Sequence, residues 1–111
     1  MSQTVQIEIK ANLQWAAIPG KKHGIWIGVC EALGLSIEAD SLDELHSIIP
    51  ESMHTLMIDL LQDNEFESYL REKGWTADGF ERGQTQDGVN IHVPWQLTVP
   101  EGHNDTKRRA Y

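Results

Sequence analysis

Cys30 is the only thiol in the chain, and a nucleophilic cysteine needs a base within hydrogen-bond reach, a part that His23 or His92 would have to play. No catalytic motif surrounds it, and a lone cysteine at the end of an apolar run is the ordinary mark of packing. His46 and His54 stand eight residues apart, about 80° around an ideal helix, so they are not the i, i+4 pair of a zinc site and read as surface residues. Asp40, Asp43 and Glu44 have the density of a metal cluster, yet the start of a helix accounts for acids there. A single cysteine also excludes an internal disulfide and a multi-cysteine zinc site, which fits a reducing compartment. These residue types predict no enzyme, no cofactor and no metal.

The charge pattern carries more information. Nine Lys and Arg against seventeen Asp and Glu give a net charge of −8, which repels phosphate and argues against direct nucleic-acid binding. Between Glu38 and Glu72 stand ten acids and one base, Arg71, so this window alone carries −9. Such a window is either a solvated face or a surface for a basic partner. Glu51, Asp59, Asp63, Glu65 and Glu67 are the candidate contacts on the second reading.

The elements that must position these residues follow from periodicity. Residues 5 to 13 alternate Val5, Ile7, Ile9, Ala11 and Leu13 with Gln6, Glu8, Lys10 and Asn12, the period of a half-buried strand. A Pro- and Gly-containing connection from Trp15 to Gly24 leads to a second strand, Ile25 to Cys30, and a third follows from Leu35 to Ala39. Ser41-Leu-Asp-Glu44 is a capping box that opens a helix reaching about Leu61, with Leu42, Leu45, Ile49, Met53, Leu56 and Leu60 as its apolar stripe, widened by Ile48, Met57 and Leu61. Pro50 inside it predicts a kink or a break into two segments. A short second helix is expected over residues 64 to 73, capped by Asn64 and stopped by Gly74. Residues 75 to 88 read as a loop, with a short strand near Phe80. Strict alternation from Val89 to Val99 then gives the last strand, at an edge or bent near Pro94.

The outcome is an α+β fold, a β-β-β-α-β sandwich of a small, mainly antiparallel sheet on a kinked helix, with one domain over residues 1–100 and a mobile tail over 101–111. No apolar run approaches a bilayer span, and the first residues lack a signal-peptide pattern, so the expected location is the cytoplasm.

The stretch Ile25-Trp-Ile-Gly-Val-Cys-Glu-Ala-Leu-Gly-Leu-Ser-Ile-Glu-Ala-Asp-Ser-Leu-Asp-Glu-Leu resembles the HicB-like antitoxin family and its solitary relatives, over about residues 5 to 62. Shared features are an aromatic strand, a short loop ending in Leu-Gly, a strand ending near an acid, and a Ser-Leu-x-Glu helix start. The resemblance implies a fold like a partly degraded ribonuclease H without its catalytic carboxylates. In two-gene systems it also implies binding to a small basic toxin that cleaves messenger RNA. Cys30-Glu31-Ala32 replaces the usual proline before the Leu-Gly loop, and Pro50 inside the helix is a feature associated with the solitary relatives. Only one strand and a polar tail follow residue 88, leaving no helix-turn-helix for an operator.

Four tryptophans are many for 111 residues. Trp95, on the apolar side of its strand, is expected in the core. Trp26 alternates with Ile25 and Ile27, points to the opposite face, and is an interface candidate if the second helix does not cover that face. The long last strand, with its large aromatic face in so small a chain, predicts a homodimer. The basic run Lys107-Arg108-Arg109 is expected to make no specific contact.

Overall fold

The alternation of Val5, Ile7 and Ile9 with Gln6, Glu8 and Lys10 does form a strand, β1 (Val5–Lys10), but the strand does not run unbroken to Leu13. The amide of Ala11 turns back onto the carbonyl of Ile9 (3.1 Å), which removes it from the ladder, and a new strand, β2 (Leu13–Pro19), begins after Asn12. The computed structural model describes residues 5–80 and 88–100. Within them follow β3 (Trp26–Cys30), β4 (Leu35–Ala39), α1 (Leu42–Gln62), α2 (Phe66–Lys73), β5 (Thr76–Asp78), β6 (Val89–His92) and β7 (Trp95–Thr98). The expected single sheet is therefore two among the described residues, ordered β5-β1-β6 and β4-β3-β2-β7. The class is α+β and the pairing mainly antiparallel, with β1–β6 and β2–β7 the parallel pairs. The last predicted strand breaks at Val93-Pro94, where proline has no N–H for a ladder, and both of its halves are edge strands.

The chain packs as two compact units. The three-stranded unit takes Met1–Asn12 and Pro50–Pro94, and its buried residues include Ile7, Ile9, Met53, Met57, Phe66 and Ile91. The four-stranded unit takes Leu13–Ile49 and Trp95–Tyr111, with Leu13, Trp15, Ala17, Cys30, Leu45 and Ile49 in its core. Each such aliphatic side chain withdrawn from water contributes about 1.5–3 kcal/mol, so a few of them suffice to offset the ordering of a short strand. Trp15 is almost fully buried, and among the described residues its indole N–H finds no partner.

α1 forms without interruption through Pro50, so of the two expectations the break into separate helices does not occur. The boundary between the units nevertheless falls between Ile49 and Pro50. The Ser41 hydroxyl accepts from the Glu44 amide (3.0 Å), as a capping box requires, whereas the Glu44 carboxylate reaches one residue further back than expected, to the amide of Asp40 (2.6 Å). The buried side chains of α1 are Leu45, Ile49, Met53, Met57, Leu60 and Leu61, with Leu42, Ile48 and Leu56 half-buried beside them, as steps of three and four along a helix require.

Asn64 does not cap α2. It sits in the left-handed region (φ 59°) and closes α1: its amide donates to Leu61 O (3.2 Å) and that of Glu65 to Leu60 O (2.8 Å). Gly74 (φ 78°) closes α2 in the same way, through Gly74 N to Arg71 O and Trp75 N to Leu70 O. Both are Schellman motifs, which Asn and Gly alone fill at modest strain. The short strand expected near Phe80 lies earlier, at Thr76–Asp78, and Phe80 instead packs its ring on Phe66, 4.9 Å between centroids.

Candidate functional site

The five candidate acids all belong to the three-stranded unit. Glu51 and Asp59 project from α1 on the exposed stripe that also carries Thr55 and Gln62. Asp63 and Glu65 are exposed on either side of Asn64, in the turn between the helices, and Glu67 is half-buried in the first turn of α2. The closed turn fixes where Asp63 and Glu65 stand, because its two backbone hydrogen bonds leave the junction little freedom.

Helix ends distinguish these acids from one another. Glu67 lies near the N-terminus of α2, where the helix dipole favours negative charge. Asp59 and Asp63 lie at the C-terminal end of α1, where the dipole disfavours it, and the last turn of α1 has no basic residue. Each costs about 0.3–1 kcal/mol in that position. Local helix chemistry therefore accounts for Glu67 and leaves Asp59 and Asp63 without a stabilising reason.

Beside the junction, Glu65, Ser68, Tyr69 and Glu72 line a hollow of about 230 Å³ floored by Leu60. The Tyr69 ring meets Trp75 edge-on at 6.3 Å, and the Lys73 ammonium lies 5.4 Å from its centroid. A second hollow, of about 430 Å³, is lined by Glu51, His54 and Thr55 of α1 and by Asn90 of β6. Among the described residues no three His, Cys, Asp or Glu side chains come together as a metal set would need.

Trp26 belongs to the four-stranded unit, so it does not share a unit with the acids. It lies on the face of β3 that carries Gly28 and Cys30, which is the buried face. A Cβ at Gly28 would stand 2.9 Å from Leu45 Cδ1, which shows that α1 lies directly over this side. The helix over this side is thus α1 and not the second helix, and the indole is half-buried. The more open face, among the described residues, is the opposite one, where the register sets Ala16 beside Val29 and Ile18 beside Ile27. Ile18 is 45 % exposed. Sequence periodicity missed this patch because residues 15 to 19 are apolar on both faces and show no alternation.

Cys30 is fully buried, consistent with a packing role, and His92 Nδ1 lies 2.8 Å from a Glu8 carboxylate oxygen on the exposed face of β6 and β1. Trp95, expected in the core, is half-buried beside the exposed His46 (5.9 Å between rings). Among the described residues no helix is long and apolar enough to cross a membrane. The tail over 101–111, with Lys107-Arg108-Arg109, and the loop residues 81–87 lie outside the described residues. Compared with family models, curated proteins and solved structures, the chain matches none.

Proposed function

We propose that this chain is a non-catalytic, cytoplasmic binding module resembling the HicB-like antitoxins, and that it neutralises a small basic RNA-cleaving toxin through the acidic surface of its three-stranded unit. The observation that carries this reading is the placement of Asp59 and Asp63 at the end of α1 that disfavours them. Residues that oppose local stability are the ones expected to serve a contact, and a basic partner would supply the missing counter-charge. Glu51 and Glu65 extend the same exposed acidic surface.

The test is a paired measurement on Asp59→Lys/Asp63→Lys. Removing two unfavourable charge–dipole contacts should raise stability by about 0.5–2 kcal/mol for the pair. The same change should abolish recovery of a small basic protein with ribonuclease activity from cells producing the parent. A solvated face predicts the same rise in stability with an unchanged set of recovered proteins, and that outcome refutes the toxin-binding role.

A second reading rests on a different observation. The partly exposed patch of Ala16, Ile18, Ile27 and Val29 favours a solitary protein of the same fold that associates with itself, because a two-fold partner buries the same aliphatic row against itself. Light scattering that gives a monomer at high concentration rejects it.

A further inference from the structure

The connection between β2 and β3 is the one part of the described chain where the charge balance reverses. Residues 9 to 30 contain Lys10, Lys21 and Lys22 and no Asp or Glu, in a protein with seventeen acids. Lys10 is paired with Asp78 (3.1 Å). Lys21, Lys22 and His23 are exposed, and among the described residues none of them forms an ion pair. Net charge acts over distance, but at physiological salt its reach is about 8 Å, so a ligand at this loop responds to the lysines first. The acids on the neighbouring strand are Glu38, opposite Ile27, and Asp40, one position past the Ala39 that faces Trp26.

The loop has a set shape. Gly20 N donates to Ile25 O (2.8 Å) and Ile25 N to Lys22 O (3.2 Å), which makes Lys22 to Ile25 a β-turn. Gly24, with φ 89°, fills its third position, where a side chain would be strained. The loop borders a hollow of about 520 Å³, within the size range of small-molecule sites, whose lining includes Lys21, Lys22, His23 and, at the strand end, Trp26. Two ammonium groups and an imidazole beside an indole combine an attraction for a compact anion with a flat surface for a ring.

We propose that this hairpin loop binds a nucleoside monophosphate, with the phosphate held by Lys21, Lys22 and His23 and the base placed against Trp26. Exposed loop lysines can be exchanged without disturbing the cores of either unit, so the test does not depend on a fragile variant. The full chain is titrated with AMP, ribose 5-phosphate, adenosine and inorganic phosphate at constant ionic strength, and the loop amides and the Trp26 indole N–H are followed by NMR. AMP should saturate these signals and bind about tenfold more tightly than ribose 5-phosphate, the difference that one stacked base makes. Adenosine should bind at least about tenfold more weakly than AMP, and Lys21→Gln/Lys22→Gln should lose about tenfold for AMP, a loss that shrinks with added salt. Equal binding of AMP by parent and double variant overturns the proposal, as does equal binding of AMP and adenosine. A short RNA that shifts the loop signals while AMP leaves them unchanged also overturns it, by making the loop a contact for a polymer.

Discussion

The two sheets present exposed faces of opposite character. In the three-stranded unit that face is charged: Gln6, Glu8 and Lys10 of β1 stand with Thr76 and Asp78 of β5 and Asn90 and His92 of β6. The register puts two acids, Glu8 and Asp78, directly opposite each other, an unfavourable pair by itself. Lys10 takes Asp78 on the diagonal at 3.1 Å, and His92 takes Glu8 at 2.8 Å, so each acid has its own partner. The four-stranded unit carries Ala16, Ile18, Ile27 and Val29 in the same position, with polar Ser36, Glu38, Gln96 and Thr98 on its edge strands and Gln14 at the start of β2. A charged face answers to water, whereas an aliphatic one of this kind answers to another surface.

Changes under the sheets should have the largest effect. Leu45→Ala removes the side chain that α1 lays over Gly28 and should cost about 2–5 kcal/mol in denaturant unfolding, since the strand beneath has no side chain to fill the gap. A loss below 1 kcal/mol would mean that this side of the sheet is not sealed by α1.

Next comes the charged face. Lys10→Ala leaves Asp78 facing Glu8 unrelieved and should cost about 0.5–1 kcal/mol, and adding Asp78→Asn should recover most of it. If the double variant is no better than the single one, the like-charge pair is already screened by solvent and the cross-strand pairing is incidental.

The smallest change in stability is expected on the aliphatic face. Ile18→Ser, at a position already 45 % exposed, should shift unfolding by less than about 0.5 kcal/mol. Sedimentation of the parent and the variant then sharpens the contrast: self-association that persists in the variant would assign the patch no role in it.

How far these faces were legible in the sequence depends on what flanks each apolar residue. β1 and the run from Val89 to Val99 alternate apolar with polar, so their strand character could be read directly, but the break that parts β6 from β7 could not. The start of α1 was legible because a capping box is a local motif that needs only four residues. β2 was not, since Trp15-Ala-Ala-Ile-Pro19 is apolar throughout and a strand of that composition has no visible period. The side on which Trp26 lies was hidden for a related reason: Gly28 looks like a gap in the pattern, although it marks where the helix comes closest. The five acids were legible as a charge run. Their division into those favoured by a helix end and those opposed to it needed the true end of α1 at Asn64, which the residue type alone assigned to the wrong helix.

The register that joins the first strand to one of the last also sets an order in time. β2, β3 and β4 pair antiparallel with their neighbours in sequence, so their ladder can assemble while the rest of the chain is still being made. β1 cannot follow suit, because Val5 and Ile7 pair with Val89 and Ile91, and even its other partner, β5, lies beyond both helices. The aliphatic row of β1 therefore leaves the ribosome before both helices and before either strand it pairs with. Until those partners are made the growing chain carries an uncovered sticky segment, and it is during that interval, before any mature surface exists, that chaperones and unwanted associations compete for it.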